Sequence, residues 1–365
     1  MHSRLLTTLE AEARTTNDPE RWAQAVCRSA VHFGRQGHTN LALQAIDQVR
    51  SRFALNLTPS IATWLMLSEG ILEFFRDNTA QAFDRTRRAH AISVAAGVST
   101  ARPTCAAWMA LIQFNALQYV EMVKHLDEVL TYAGPDDHQA RARGSLVLAD
   151  ALHFAGDFTA ARPWYQATRL HATAEGDEAT LSAMLHNVAA FRAGNVRVAD
   201  AFGIAMPEES HRAMMEANSA LHFDAAIGTA SFVMLVPLVR AQVLLVEHKF
   251  AEAESTFTSL DRLNLESKSV PLLVVDLAWA KINLGKHTEA MTLFQEATSL
   301  LSSVTHIDEI AYVNSRMASI ARALKLQDAA LAHTSSAAAA LNCHKAEQAE
   351  LLGRLHELHA KHKPI

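Results

Sequence analysis

A fixed period of about forty residues is the feature that most constrains this chain. Small residues recur at that spacing, and the first series is Ala30, Gly70, Ala110, Ala149, Asn187, Ala241, Ala278 and Ala318. A second series lies twelve positions further on: Ala42, Ala82, Met122, Ala161, Ala199, Ala253, Ala290 and Ala330. A repeat of this length is typical of a solenoid, in which each unit is a helix pair that buries its apolar face against its neighbours. The sequence therefore predicts an all-α chain with little sequence left for a separate active site.

Turn and connector residues divide each period into two helices. Gly-x and Asp-Asn signals mark the turns at 37–38, 77–78, 156–157, 194–195 and 285–286. Pro59, Pro103 and Pro271 fall near the start of a first helix, where proline is best tolerated. We expect helix pairs at 19–54, 58–97, 101–133, 137–175, 177–206, 228–264, 268–303 and 305–341.

One interval is longer than the others and divides the chain into segments. The step from Asn187 to Ala241 is 54 residues. The extra residues, 207–227, form either an elongated second helix with a looser connector or an inserted helix that bends the solenoid or folds into its groove. We expect an N-terminal cap at 1–18, five repeats at 19–206, three repeats at 228–341, and a C-terminal capping helix and tail at 343–365.

Composition fits a packed helical protein and excludes several classes. Half of the residues are hydrophobic, 19% are charged, and there are only 13 Gly and 9 Pro. A net charge of −5 argues against a nucleic-acid partner, because such proteins are usually basic. The three cysteines are far apart, which indicates neither a disulfide framework nor a zinc knuckle. With no secretory signal and no long apolar run, we expect a cytoplasmic protein without a membrane partner.

Two stretches carry a resemblance to a known family. LAWAKINLGKHTEAMTLFQEA, residues 277–297, and LADALHFAGDFTAARPWYQA, residues 148–167, resemble the tetratricopeptide (TPR) repeat. The period here is near forty rather than the family's ~34 residues. It is similar to the longer repeats of kinesin light chains and of sensor arms in large bacterial transcription activators. The resemblance implies a right-handed α-solenoid of about eight helix hairpins with terminal capping helices.

The same resemblance implies a binding groove on the concave face, lined by the first helix of each hairpin. The residues at the matching positions are Phe74, Phe75, Leu111, Phe114, Asn115, Asp150, His153, Phe191, Arg192, Gln242, Trp279, Asn283 and Arg322. These positions are largely apolar and aromatic, which suits an amphipathic helix or an apolar peptide. The alternative is that Phe74, Phe114 and Phe191 are buried between repeats.

The sequence offers no convincing catalytic or metal-binding motif. His356, His359 and His362 recur every three residues, a spacing that can place two imidazoles on one helix face, but no carboxylate or thiol completes a set beside them. We expect these histidines to lie on a frayed surface helix, and we expect no metal, no cofactor and no enzymatic activity.

Two functions from different classes follow. The first is a non-catalytic scaffold that binds a peptide or partner protein in the concave groove. The alternative is a regulatory or small-ligand-sensing arm that acts with a separate output protein. Self-association is left open.

Overall fold

Helices account for nearly all regular structure in this chain. The computed structural model describes residues 3–228, 234–262, 265 and 269–363, and no β-strand occurs within these ranges. The helices of the amino-terminal half are α1 (Arg4–Thr15), α2 (Pro19–Arg35), α3 (Thr39–Arg52), α4 (Pro59–Phe75), α5 (Thr79–Ala95), α6 (Arg102–Asn115), α7 (Tyr119–Tyr132), α8 (His138–Phe154) and α9 (Phe158–Glu175). Those of the other half are α10 (Glu178–Ala201), α11 (Pro207–Ile227), α12 (Leu235–Val246), α13 (Phe250–Ser259), α14 (Val270–Asn283), α15 (His287–Leu300), α16 (Ile307–Ala323) and α17 (Gln327–Lys361).

Successive helices pair as antiparallel hairpins, which stack into an all-α solenoid. α2 pairs with α3, α4 with α5, and so on to α16 with the first half of α17, and each first helix also contacts the first helix of the next hairpin. Local sequence sets many of the helix starts. The first backbone N–H groups of a helix have no partner within the helix. In α2, α4 and α8, these groups donate hydrogen bonds to the side chains of the N-cap residues Asp18, Thr58 and Asp137.

A third series with the same period appears in the backbone. One residue of each short hairpin turn has a positive φ, and these residues are Gly37, Asp77, Leu117, Gly156, His248, Gly285 and Lys325. A left-handed residue just after a helix lets the chain reverse and satisfies the last carbonyl groups. The turn geometry is therefore conserved along the solenoid even where the residue is not glycine.

Small residues lie where helices cross most closely, as the repeat predicts. Ala161 and Ala278 are buried, and Phe294 belongs to the same buried hydrophobic cluster as Ala278. At Gly70, an added Cβ would lie 2.5 Å from Thr86 Oγ1, so no larger side chain fits without movement. Steric exclusion at the crossings therefore explains the first sequence series.

The fifth unit differs from its prediction. The expected turn at Gly194 and Asn195 does not form, because the 24-residue helix α10 runs through both residues. The second helix of that hairpin is α11. The extra residues 207–227 thus supply a pairing helix, and Ala213 and Ala217 take the buried positions expected of Ala199, which is only half-buried. Tertiary contacts explain the extension, because Val196 and Arg197 are buried beyond the predicted turn.

The carboxy-terminal segment also differs from its prediction. Instead of a separate frayed helix, it is the second half of the 35-residue α17, which packs against α7 and α8. Leu351, Leu355 and Leu358 are buried in this contact. His356 bonds to Asp157 Oδ2 at 2.8 Å. These side chains of α17 therefore contact repeats that are distant in the sequence.

Long-range contacts close the solenoid on itself around α10. At one end of α10, Arg35 of α2 pairs with Asp177 at 2.8 Å. At the other end, Arg316 of α16 pairs with Asp200. These contacts bring the first, fifth and eighth hairpins together and narrow the interior. No helix in the described ranges has the length and hydropathy needed to cross a membrane.

Candidate functional site

The interior of the closed solenoid contains a cavity that we call the inner cavity. Its volume is about 320 Å³. Five hairpins and the carboxy-terminal helix line it, through Phe114, Asn115, Leu117, Tyr119, Phe154, Ala190, Phe191, Gly194, Asn195, Arg197, Val198, Leu272, His306, Asp308, Glu309, Tyr312 and His344. Cavities of this size hold small ligands or short peptide segments.

Aromatic rings form one wall of the inner cavity. The ring centroid of Phe114 lies 6.0 Å from that of Phe154 and 6.1 Å from that of Phe191. Tyr119 completes the group at 6.3 Å from both Phe114 and Phe154. Edge-to-face and tilted contacts at these distances are favourable, so the rings support one another and present an apolar surface to the cavity.

Polar side chains on the other walls include atoms that have no partner. Three buried atoms have no hydrogen-bond partner among the residues that the structure describes: Asn195 Nδ2, Asp308 Oδ1 and His344 Nδ1. All three residues line the inner cavity, although they come from α10, α16 and α17. Burying a polar atom without a hydrogen-bond partner costs free energy. Three such atoms in one cavity therefore mark a place where a ligand can supply the missing partners.

Electrostatics in the cavity are set by burial and by acids. Burial lowers the pKa of the His344 imidazole, against the opposing charges of Asp308 and Glu347. Burial also raises the pKa of Tyr119, and the same two carboxylates add to this effect. The His344 ring is therefore neutral and the Tyr119 phenol stays protonated at neutral pH, so both can exchange hydrogen bonds with a ligand.

Arg197 contributes a fixed ion pair at the edge of the cavity. Its guanidinium donates to Asp276 Oδ2 at 2.8 Å and lies 4.2 Å from the Tyr312 ring centroid. Tyr312 O–H donates to the other oxygen of Asp276. Because Asp276 is fully buried, these bonds offset the cost of burying its charge and join α10, α14 and α16.

Three of the thirteen predicted groove residues line the inner cavity: Phe114, Asn115 and Phe191. Phe114 is buried and Phe191 is half-buried, so these rings both contact neighbouring repeats and face the cavity. Asn115 is exposed at the end of α6.

Two predicted residues lie directly behind the aromatic wall. Asp150 accepts a hydrogen bond from Tyr165 O–H at 2.9 Å and another from Asn187 Nδ2 at 2.7 Å. His153 Nδ1 lies 3.1 Å from the Tyr165 hydroxyl, and its ring lies 5.8 Å from that of Phe191. Burial raises the pKa of Asp150 to about 7 and lowers the pKa of His153 to about 3. This hydrogen-bond network supports the Phe191 ring through the contact between Phe191 and His153.

Phe74, Phe75 and Leu111 lie elsewhere on the second and third hairpins. Phe74 is half-buried and Phe75 is 43% exposed, and both pack edge-on against Trp108. Leu111 is half-buried and contacts the cores on both sides of α6. These three residues extend the apolar surface but do not line the inner cavity.

The remaining predicted residues are spread over several environments. Arg192 pairs with Glu209 and Glu216 of α11, Gln242 is buried on α12, and Trp279 is half-buried beside Arg316. Asn283 and Arg322 are exposed near the ends of α14 and α16. No cavity described in the structure unites these five positions with the aromatic wall.

Several lining residues were missed by sequence reasoning. Leu272 and Asp308 lie in the first turn of their helices, whereas the repeat register singles out positions in the second half. The sequence predicts a turn at Asn195, and no repeat signal marks His344, which lines the cavity from the long helix α17. Leu272 and Asp308 could have been found by applying the repeat period to positions in the first turn of each first helix.

One group of potential metal ligands lies outside the inner cavity. His90 of α5 and His125 and Glu128 of α7 each place a ligand atom within 4.8 Å of the other two. No sequence motif links His90 to His125 and Glu128, because His90 belongs to a different repeat from the other two.

The fold of this chain has counterparts among solved structures. The chain is an all-α helical-repeat solenoid. A Rap protein complexed with Competence and Sporulation Factor has a similar fold, with a TM-score of 0.59 and 13% identity over 94% of this chain and 92% of that chain. The apo form of RapI matches with a TM-score of 0.50 and 11% identity over 92% and 91%. Rap proteins are TPR-like helical-repeat proteins.

No protein-family model matches the chain, and no curated protein matches it in sequence. At identities of 11% and 13%, the likeness to the two solved structures is a likeness of fold.

Proposed function

We propose that this protein is a non-catalytic regulatory scaffold that binds a peptide segment of a partner in the inner cavity. The observation that carries the proposal is that an aromatic wall meets three buried polar atoms, on Asn195, Asp308 and His344, that have no partner within the described part of the chain. Such a site rewards a ligand that brings both an apolar side chain and hydrogen-bonding groups. The similar fold of a Rap protein solved with Competence and Sporulation Factor bound supports this choice.

The size of the inner cavity favours some ligands over others. The cavity's volume of about 320 Å³ lies at the small end of the range of roughly 300–1,000 Å³ that ligand pockets span. An extended peptide segment or a small molecule fits this space better than an amphipathic helix. The carboxylate of Asp308 beside aromatic rings further favours a ligand with an amine or guanidinium group.

The thirteen predicted groove residues keep proposed roles within this scheme. Phe114, Asn115 and Phe191 would contact the ligand, and Asp150 and His153 would position Phe191 from behind. Seven of the other eight would contact parts of a partner that extend beyond the cavity: Phe74, Phe75, Leu111, Arg192, Trp279, Asn283 and Arg322. Gln242 is buried and would support that surface from within α12.

The test uses a matched pair of aspartates. A library of short peptides and small amines is screened by its effect on the melting temperature of the wild type, because a ligand of the folded state raises it. We expect hits to lose their effect in Asp308→Asn and to keep it in Asp328→Asn, since Asp328 is an exposed residue in the first turn of α17. A library without hits, or hits that bind both variants equally, would contradict the proposal.

The small volume of the cavity favours a second candidate, a small-ligand-sensing arm that acts with a separate output protein. It predicts that the best hits are small amines rather than peptides. We also propose that the repeats are similar to those of kinesin light chains and activator sensor arms, and that the protein is bacterial and cytoplasmic. The proposal further includes no membrane partner, no cofactor and no enzymatic activity. A net charge of −5 supports the absence of a nucleic-acid partner. Self-association stays open.

A further inference from the structure

Two histidines and a glutamate meet between the second helices of the second and third hairpins. His90 lies on α5, and His125 and Glu128 lie one turn apart on α7. A ligand atom of each lies within 4.8 Å of those of the other two, and all three residues are half-buried. A small ion could reach this group while being largely shielded from water.

The His125 ring is held in an orientation suited to metal binding. Its Nδ1 lies 2.8 Å from Gln113 Oε1 and 3.0 Å from the carbonyl oxygen of Glu121. Both partners are acceptors, so Nδ1 carries the proton and Nε2 keeps its lone pair. Protein ligands to metals commonly have this arrangement, in which an oxygen fixes the ring through the second nitrogen.

Glu128 is also oriented by its neighbours. Arg102 Nε donates to Oε1 at 2.5 Å, and His90 Nε2 lies 2.9 Å from Oε2. Arg102 therefore occupies Oε1 of Glu128, and Oε2 is the oxygen beside His90.

We propose that His90, His125 and Glu128 bind one divalent transition-metal ion, with Zn²⁺ as the best match. Two imidazole nitrogens and one carboxylate oxygen form a donor set that suits zinc, and water would complete a tetrahedron. Ligand atoms around such an ion lie about 3.3 Å apart. The His90–Glu128 pair, at 2.9 Å, would open slightly to admit the ion, and His125, whose ligand atom lies within 4.8 Å of the other two, would move inwards by no more than about 1.5 Å. The ion would replace the proton on His90 Nε2.

A bound ion would join two consecutive repeats. Its ligands come from α5 and α7, which lie in different hairpins, so the complete set exists only when the hairpins are stacked. Binding to the folded chain alone stabilises it. The ion would thus strengthen the junction between the second and third hairpins, independently of any ligand in the inner cavity.

The test is a titration of the chelator-treated, full-length protein with ZnCl₂ in a calorimeter. We expect one ion per chain in the wild type, and binding at least about tenfold weaker in His125→Gln and Glu128→Gln. In a second titration, CoCl₂ should give the visible absorption of tetrahedral Co²⁺ with the wild type. That spectrum tests the site even if a variant does not fold.

The control is His171→Gln. His171 Nδ1 lies 3.0 Å from His138 Nδ1, and this pair lies outside the three-residue group. Its substitution should leave zinc binding unchanged. The proposal is overturned if the wild type binds no stoichiometric zinc and gives no tetrahedral cobalt spectrum. It is also overturned if binding survives in His125→Gln and is lost instead on changing His356 and His362.

Discussion

At the scale of single residues, burial decides chemistry that the sequence does not reveal. Asp150 reads in the sequence as a polar groove residue, yet it is 2% exposed. Its two oxygens each accept one hydrogen bond, and burial still raises its pKa to about 7. The residue is therefore a buried acid that supports the aromatic wall.

The raised pKa of Asp150 predicts a pH-dependent stability. Between about pH 4 and pH 7 the folded chain holds a proton on Asp150 that the unfolded chain has lost, so this group's contribution to the free energy of unfolding falls as pH rises. The fall is up to about 1.4 kcal/mol per pH unit. Asp150→Asn should remove it, so the variant should gain stability relative to the wild type from pH 4.5 to 8.

Denaturant unfolding at several pH values measures this difference. His153 and His32, whose pKa values are lowered to about 3 and about 4, give the opposite slope in both proteins and largely cancel in the comparison. A difference between variant and wild type that stays constant with pH would show that Asp150 is ionised in the folded chain throughout.

The left-handed turn residues give a second prediction at this scale. Lys325 has φ of 63° and an exposed side chain, so Lys325→Gly should relieve backbone strain and stabilise the chain by about 1 kcal/mol. Lys345→Gly is the matched control, because Lys345 is exposed within α17, where glycine should cost about 1 kcal/mol. Thermal unfolding compares them, and destabilisation by both variants would argue against the turn geometry.

At the scale of helices, the sequence predicts elements well where local and tertiary signals agree. The caps at Asp18 and Thr58, the first-turn prolines and most hairpin turns follow from local chemistry. Gly194 and Asn195 are the exception, because the buried contacts of Val196 and Arg197 extend α10 past a sequence that can end a helix. Local turn signals alone could not predict this outcome, since the partners of Arg197 lie on α14 and α16.

α17 gives the clearest prediction at the helix scale. Leu355 is fully buried where α17 packs back on the earlier repeats, so Leu355→Ala should cost about 2–5 kcal/mol. Leu331 on the same helix is 70% exposed, and Leu331→Ala should change stability by less than about 0.5 kcal/mol. Chemical denaturation of the two variants checks the packing, and equal effects would mean that the end of α17 is not docked.

At the scale of the whole molecule, the repeat period predicts the solenoid but not its closure. Arg35 and Asp177 are 142 residues apart in sequence, and Lys361 and Asp127 are 234 residues apart. Curvature accumulates from small rotations between repeats, and no single motif encodes it. The aromatic wall was therefore partly predictable from the helix register, whereas Asn195, Asp308 and His344 meet only because the chain curls back.

The closure of the solenoid around the inner cavity is the central claim, and a distance between α7 and α17 tests it most directly. Cys343 is exposed and would be replaced by Ser, while Cys27 and Cys105 are buried and would not react with a label. Nitroxide labels at residues 124 and 357 then lie within about a helical turn of the Asp127–Lys361 pair, whose atoms are 2.6 Å apart.

Pulsed electron paramagnetic resonance on the doubly labelled chain should give a narrow distance distribution centred below about 30 Å. An open ribbon of stacked helices would place the same labels more than about 40 Å apart. A distribution centred at the longer distance would contradict the closed solenoid and with it the inner cavity.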